Sequence, residues 1–452
     1  MNFHRGLWAG AFLLLMLPGC SQDNKTLNVE GAYAPVIADV GTDHQPVWRG
    51  AANRLTALVQ NNVRGYPLKF HWSAAGVGQF ADTALTGTPD LVASCTWTPP
   101  DSIGVYPVTV SVEAYDELNK TSFFTTRTIR MFVDNAYVRW TKNERIQLDI
   151  APPVQGKIYY SEIRNSTTGE SDVWSVASPL GTPQQITSQF FTATSPTVQS
   201  DGSRLVFLGR RRNSDVAPSI WGVSPSGGDT TSAILNVKFN VSTNGNLGSP
   251  RFGPSGSLFL YCTDSTSFSA PRPWIRDAGN LSVAPFRLIP ASANPAGEQG
   301  NTYWNGNWNG AGDSVVLESY VFFKSTAQES RGLFRLSALP LSNTVAPYTA
   351  WLLDYQATDP DWSADGQYMV FTRKSPSASD RDIWIIPANS SDVTTAIQVT
   401  QGPADDSHPR FSSDGNSIFF ISNRTDSYGS NGVYETERRG TNVWSVSEFD
   451  RP

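Results

Sequence analysis

Hydrophobic and polar positions alternate with a period of two in the first third of the chain. Val108, Val110 and Val112 are separated by polar residues, and Phe70 and Trp72 also have polar neighbours. Alternation of this kind is typical of strands that bury one face. Glycines and prolines interrupt it at short intervals, as turns would. We therefore predict a β-sandwich over residues 32–135, with Trp72 in its core.

A short turn sequence recurs through the rest of the chain. Ser-x-Asp-Gly is complete at residues 363–366 and 412–415, and degenerate copies end in four other glycines. The glycines lie 46 to 56 residues apart and are Gly156, Gly202, Gly256, Gly312, Gly366 and Gly415. In such a turn the aspartate accepts hydrogen bonds from backbone amides, and the glycine adopts a positive φ. These aspartates are therefore predicted to cap turns rather than to act as catalytic acids.

An aromatic residue follows each repeat glycine, in the next strand but one. These aromatics lie 18 to 29 residues after the glycine and are Trp174, Trp221, Trp274, Phe334, Trp384 and Trp444. We expect them to fill the wedge between neighbouring sheets. A four-stranded unit repeated six times predicts an all-β protein, with a six-bladed β-propeller over residues 136–452 behind the sandwich.

Both halves resemble known families. The turn and aromatic repeats resemble those of TolB-like propellers, although nothing here matches the α/β domain that precedes the propeller in TolB. Thr96-Trp97-Thr98-Pro99-Pro100, followed by Gly104-Val105-Tyr106, resembles bacterial immunoglobulin-like and PKD-like domains. The second resemblance implies a spacer or adhesion module.

The last repeat ends one strand short of four. We expect Ile146-Gln147-Leu148-Asp149-Ile150 to supply the missing outer strand and to close the ring by joining the two ends of the repeat region. Closure of this kind removes an exposed sheet edge.

The N-terminus has the pattern of a targeting segment. Arg5 precedes an apolar run from Leu7 to Leu17, which is too short for a membrane span. Leu17-Pro18-Gly19-Cys20 resembles the bacterial lipobox, which implies a signal peptide over residues 1–19 and lipidation of Cys20. Residues 20–31 would then tether the protein to the cell envelope. By the same resemblance Ser21 favours the outer membrane, and the protein would face the periplasm or the cell surface.

Charge and cysteine content narrow the partners. The formal net charge is −6, and Arg210-Arg211-Arg212 is the one basic cluster of note, so nucleic acid is not an expected partner. Two cysteines remain after Cys20. Because Cys95 and Cys262 fall in different predicted domains, we expect no disulfide between them.

Motifs for catalysis and metal binding are largely missing. The sequence has no Gly-x-Ser-x-Gly elbow, no Cys-x-x-Cys and no His-Glu-x-x-His. We therefore expect no enzyme activity and no cofactor, and leave open a structural calcium held by aspartates and carbonyls.

Elongated loops mark one face of the predicted propeller. Residues 294–306 enter the fourth blade and residues 423–441 join the middle strands of the sixth, on the face where inner strands begin. Function often lies on loops held by a rigid scaffold. The candidate ligand residues of this face are Tyr303, Trp304, Asp359, Asp405, Asp406, His408 and Tyr428.

Three hypotheses follow for the function. The first is a lipid-anchored, non-catalytic scaffold that binds protein or glycan through this face. The second is a polysaccharide lyase or hydrolase with its site at the channel mouth, which would need a coupled acid and base. The third is a subunit of a larger envelope or surface assembly.

Overall fold

The structure is a computed structural model that describes residues 35–452 with short gaps. The gaps are residues 43–46, 61–64, 82–83, 88–90, 143–144, 216, 228–232, 236–247, 264–270, 280–284, 289–297, 324–327, 338–348, 353–355, 375–379, 402–403, 429–433, 437–439 and 448. The regular secondary structure of these residues is almost entirely strand, with one short 3-10 helix at Val393–Thr395. None of their helices is long and apolar enough to cross a membrane.

The N-terminal part is a sandwich of two sheets. Its strands are β1 (Val36–Thr42), β2 (Val47–Trp48), β3 (Asn53–Gln60), β4 (Leu68–Ser73), β5 (Gln79–Ala81), β6 (Ala84–Gly87), β7 (Leu91–Thr98), β8 (Gly104–Asp116) and β9 (Thr121–Asp134). One sheet has the order β1-β3-β7-β5 and the other β2-β9-β8-β4-β6. The alternating valines of β8 pack with Trp72 and Trp97 in one buried cluster. The prediction that Trp72 is a core residue is therefore confirmed.

Six four-stranded sheets follow among the described residues. After β10 (Tyr137–Arg139), the first contains β11 (Gln147–Ile150), β12 (Ile158–Asn165), β13 (Glu170–Val176) and β14 (Gln184–Gln185). The second contains β15 (Thr192–Val198), β16 (Leu205–Arg210), β17 (Ser219–Val223) and β18 (Ala233–Leu235). The third contains β19 (Arg251–Phe252), β20 (Leu258–Thr263), β21 (Arg272–Asp277) and β22 (Phe286–Arg287).

The remaining sheets repeat this order. The fourth contains β23 (Glu298–Trp308), β24 (Ser314–Phe323), β25 (Gln328–Ser337) and β26 (Thr349–Leu352). The fifth contains β27 (Ala357–Trp362), β28 (Tyr368–Lys374), β29 (Arg381–Pro387) and β30 (Ile397–Gln398). The sixth contains β31 (Asp406–Phe411), β32 (Ile418–Ser422), β35 (Asn442–Val446) and, at its edge, β10. A small separate sheet pairs β33 (Arg424–Tyr428) with β34 (Tyr434–Thr436).

The sheets pack face to face in a closed ring. Each contributes to one buried apolar cluster with the sheet before it and another with the sheet after it. The sixth and first sheets share the last cluster, where Phe419 and Ile421 meet Ile158 and Tyr160. A ring of sheets that bury both faces against their neighbours is a β-propeller.

The glycines, aspartates and tryptophans of the repeat adopt the conformations and contacts that the sequence predicts. All six repeat glycines have φ between 70° and 74°. Asp365 Oδ1 accepts a hydrogen bond of 3.0 Å from the Gln367 amide, and Asp414 Oδ1 accepts one of 3.0 Å from Asn416. The repeat tryptophans pack against the clusters between sheets, which confirms that they fill the wedge.

The closing strand differs from the prediction. The outer strand of the sixth sheet is β10, in which Tyr137 pairs with Val446 and Arg139 with Trp444. Residues 147–150 form the innermost strand of the first sheet instead. The reason is geometric, because Ile150 is fully buried between the first and sixth sheets and cannot stand at an outer edge.

The ring axis is closed by a buried group of ions. Asp149 on β11 lies 3.1 Å from Arg251 of the third sheet and 3.2 Å from Arg410 of the sixth. Both guanidiniums are 2% exposed and also donate to backbone carbonyls. Burial raises the pKa of Asp149, but the two arginines outweigh this and hold it at about 2, below its usual 3.8.

Ring closure by β10 predicts the effect of a proline in this strand. The Trp140 amide donates to the Val443 carbonyl, so the Val138 amide, two residues earlier, points to the same neighbour. Val138→Pro removes that donor and should lower the free energy of unfolding by about 1–3 kcal/mol. Val138→Thr keeps the donor at this half-exposed position and is the control. Equal denaturant midpoints for the two variants would contradict closure by β10.

The axial ions predict a large difference between two Asp→Asn substitutions. Asp149→Asn removes the carboxylate that both buried arginines contact and should cost about 3–5 kcal/mol in chemical denaturation. Asp405→Asn removes an exposed pair with Arg381 and should cost no more than about 1 kcal/mol. Because the folded pKa of Asp149 is depressed, its stabilisation is complete above pH ~4 and is lost as the pH falls toward about 2. Similar costs for both variants would contradict this account.

Candidate functional site

The inner strands place a polar side chain at equivalent positions near the mouth of the channel. In the second to sixth sheets these residues are Ser195, Ser249, Asn305, Asp359 and His408. We call them the mouth ring. Each lies two residues before the residue that points to the axis, such as Arg251 or Arg410. The mouth ring therefore lies above the axial ions, toward the face where inner strands begin.

Three members of the mouth ring have a strained backbone. Ser195, Asp359 and His408 have φ of 52°, 53° and 55°, although none is a glycine and each precedes a proline. Strand pairing shifts register at each of these positions, as in a β-bulge. Bulges re-aim side chains, and strain of about 1–3 kcal/mol per residue often accompanies functional sites.

The mouth ring is connected by polar contacts across five sheets. The Ser249 hydroxyl lies 3.0 Å from Ser195 Oγ and 2.8 Å from Asn305 Oδ1. Asn305 Nδ2 donates to Asp359 Oδ1 at 3.3 Å, and His408 Nε2 lies 3.6 Å from the same oxygen. A chain of hydrogen bonds of this kind fixes the side-chain orientations before any ligand arrives.

A cavity of about 600 Å³ opens beside the mouth ring. Ser195, Ser249 and Asn305 line it, together with Glu318 and the apolar Leu208 and Pro218. Glu318 Oε2 also accepts a long hydrogen bond of 3.5 Å from the Asp359 amide. The cavity therefore combines an apolar wall, uncharged hydrogen-bonding groups and one carboxylate, which is a composition suited to a polar ligand.

His408 and Asp359 are the nearest approach to an acid and base pair at the mouth. Their side chains are 23% and 7% exposed, and His408 Nδ1 is buried without a hydrogen-bond partner among the described residues. No described serine or cysteine bonds to His408. Burial raises the pKa of Cys262 well above its usual value, so this thiol is not a nucleophile either. Among the described residues the pair therefore has no activated nucleophile beside it.

Two other predicted residues are engaged in ion pairs. Asp405 is part-exposed and accepts from Arg381 at 2.8 and 2.6 Å. Although burial acts to raise it, the hydrogen bonds from Arg381 bring the pKa of Asp405 below its usual value. Asp406 is fully buried and lies 2.6 Å from Arg424. Its placement among ligand residues is therefore corrected, because it offers no surface to a ligand.

Several predicted positions lie outside what the structure describes. The side chains of Tyr303, Trp304 and Tyr428 are not among the described ones, although their backbones belong to β23 and β33. Cys20, the predicted lipidation site, lies outside the described residues altogether. Cys95 and Cys262 are both buried and form no disulfide with each other.

The residues that sequence reasoning missed are Ser195, Ser249, Asn305 and Glu318. A signal for two of them was present, because Ser195 and Ser249 precede the prolines that mark the repeat, as Asp359 and His408 do. Within the described ranges no group of three or more His, Cys, Asp or Glu side chains is arranged to hold a metal ion.

Comparisons with known proteins show similarity in shape only. No family model and no curated protein matches the chain. Among solved structures it is similar to TolB from Acinetobacter baumannii, with 14% identity, 77% of each chain covered and a TM-score of 0.43. It is also similar to the β-propeller domain of the Trilobed protease from Pyrococcus furiosus, with 13% identity, 62% of this chain and 77% of that chain covered and a TM-score of 0.39. A gluconolactonase from Xanthomonas campestris shows 7% identity, 69% and 89% coverage and a TM-score of 0.42. At these identities and TM-scores the similarities carry no argument about function, and the assignment of a propeller fold rests on the packing of the sheets described above.

Proposed function

We propose that the chain is a lipid-anchored scaffold of the bacterial cell envelope that binds a protein or a glycan at the mouth of a six-bladed propeller. Residues 1–19 serve as the signal peptide, Cys20 carries the lipid, and an immunoglobulin-like sandwich spaces the propeller from the membrane. The propeller itself performs no catalysis in this proposal.

The mouth ring and its cavity are the observation that supports binding. Strain at Ser195, Asp359 and His408 is concentrated at the entrance, where the surrounding sheets can hold it. Hydroxyl and amide groups already fixed in position bind at a lower entropic cost than mobile ones. A pocket of this size accepts one or two sugar units or a few residues of a peptide.

The chemistry of the ring suits ligands that both donate and accept hydrogen bonds. Ser195, Ser249 and Asn305 can each do both, as sugar hydroxyls and peptide groups require. Asp359 and Glu318 add acceptors for hydroxyl or ammonium groups. The apolar wall of Leu208 and Pro218 fits the non-polar face of a sugar ring or an aliphatic side chain.

A second function, a polysaccharide lyase or hydrolase, is favoured by one contact. His408 and Asp359 are close enough for the carboxylate to orient the imidazole as a general base. Ligand turnover separates the two functions. A scaffold releases its glycan intact, whereas an enzyme shortens it and loses this activity in His408→Gln.

The site predicts that two serines on either side of the inner strand β19 behave differently when each is replaced by alanine. Ser249 precedes β19 at the mouth, while Ser255 is exposed in the turn at the other end of the same strand. Ser249→Ala should weaken ligand binding about threefold to tenfold, as expected for loss of one hydrogen bond. Ser255→Ala should bind as the unmodified protein does. Binding is measured on an array of envelope glycans and with envelope proteins captured by the wild type, and equal binding by both variants would remove the mouth from the proposal.

The lipid anchor predicts a change of cell fraction. Cys20→Ser should move the protein from the membrane fraction to the soluble envelope fraction, because the acyl chains supply the attachment. Cys95→Ala, which alters a buried cysteine of the sandwich, should stay with the membranes. Membrane retention of the Cys20→Ser protein would contradict lipidation at this residue.

A further inference from the structure

A cluster of buried polar groups joins the sandwich to the propeller. Its members are Asp134, Tyr137, Asp382, Asp406 and Arg424, and we call them the junction cluster. Asp134 ends the last sandwich strand, and Tyr137 begins the closing strand β10. Asp382 lies on β29 of the fifth sheet, Asp406 on β31 of the sixth sheet and Arg424 on the neighbouring strand β33. None of the five is more than 9% exposed.

The contacts run from the sandwich to the sixth sheet without interruption. The Tyr137 hydroxyl donates to Asp134 Oδ1 at 2.5 Å. The Arg424 guanidinium lies 3.8 Å from the centre of the Tyr137 ring and donates to Asp406 Oδ2 at 2.6 Å. Arg424 Nε also donates to Ser422. One guanidinium therefore holds both the closing strand and the sixth sheet.

The fifth sheet is attached at the same place. Asn135 Nδ2 donates to the Val399 carbonyl at 2.7 Å, and Gln398 Nε2 donates to Asp382 Oδ2 at 2.9 Å. The other oxygen of Asp382 is buried without a hydrogen-bond partner among the described residues. An ionised Asp382 would leave this oxygen charged and unsolvated, whereas a protonated one would be neutral.

The charges in the cluster do not balance. Among the described residues three carboxyl groups face one guanidinium, that of Arg424, and the nearby Arg381 is already paired with Asp405. Burial, together with the negative charges of Asp406 and Asp380, raises the pKa of Asp382 to about 9, against a smaller lowering by Arg424. Burial also raises the pKa of Asp134 to about 7, against the attraction of Arg424. Burial raises the pKa of Asp406 as well, in spite of Arg424.

We propose that the junction cluster is a proton-operated latch, which fastens the sandwich and the closing strand to the propeller when protonated and loosens them as protons are lost. In the closed state the carboxyls bind protons more tightly than in an open, hydrated state. The latch is therefore most stable at acidic pH, and it weakens as the pH rises from the usual aspartate value of 3.8 up to about 7 for Asp134 and up to about 9 for Asp382.

The latch adds regulation to the fold and works whether or not the mouth binds a ligand. It can still influence the mouth, because Asp406 and the ring member His408 lie two residues apart on β31. An envelope protein meets the pH of its surroundings more directly than a cytoplasmic one does. Acidification would then tighten the ring and the position of the sandwich together.

Hydrogen exchange of the full-length protein at pH 6 and pH 8 tests the latch. After correction for intrinsic exchange, protection of the amides of Tyr137–Arg139 and Asn442–Val446 should fall at least about tenfold between pH 6 and pH 8. The reason is that each unit of pH between the pKa of a carboxyl in the open state and its pKa in the closed state raises the opening constant about tenfold. Asp382→Asn mimics the protonated carboxyl and should lose less protection than the wild type between pH 6 and pH 8, because only Asp134 and Asp406 still titrate. Asp172→Asn removes another buried carboxyl with a raised pKa, which lies in the first sheet and pairs with Arg164, and it should show the wild-type loss.

Two results would overturn the proposal. One is equal protection of the wild-type closing strand at both pH values, and the other is an Asp382→Asn protein with the full wild-type pH dependence. Should Asp382→Asn fail to fold, Asp134→Asn provides the same comparison at the sandwich side, and an undiminished pH dependence there would count equally against the latch.

Discussion

Each sheet of the propeller has two apolar faces and can bury them only against its neighbours. This constraint determines the ring, because an open row would leave the outer faces of the first and sixth sheets in water. The shared cluster of Phe419, Ile421, Ile158 and Tyr160 satisfies it, and β10 secures the junction from the outside. Only two residues separate β10 from the last sandwich strand. The strand that closes the ring therefore also fixes where the sandwich joins the propeller. The same short segment carries Asp134 and Tyr137 into the junction cluster.

The axis poses a different problem, because six inner strands converge on a space that is too narrow for water to solvate charges fully. The chain fills it with Asp149 between Arg251 and Arg410, which come from opposite sides of the ring. A buried pair of this kind adds little net stability over an apolar core, but it penalises any arrangement in which its partners fail to meet. The ions therefore favour the one arrangement of the first, third and sixth sheets in which Asp149 meets both arginines.

The parts of the fold that sequence alone could predict are those whose physics is local. A glycine at positive φ and an aspartate accepting from the next amides act within four residues, and both occur where the repeat places them. Closure by β10 could not be predicted in this way. Tyr137–Arg139 is too short to carry a periodic signal, whereas residues 146–150 look like a better strand and are one, but at the centre of the ring. Asp406 was placed among the ligand residues for a similar reason, since its partner Arg424 lies in a different strand.

The conformation of the mouth ring bears on whether the entrance is a structural turn or a binding site. A turn that only had to reverse the chain at Ser195, Asp359 and His408 would be served best by glycine, which adopts positive φ at little cost. The chain instead keeps polar side chains there and also places a proline after each, which disfavours the backbone further. The hydrogen bonds among the ring members repay part of this strain, yet Asp359 and His408 make only long contacts with each other. Strain that the contacts of the ring offset only in part is typical of functional sites, which is why the strain at the mouth supports the proposed binding.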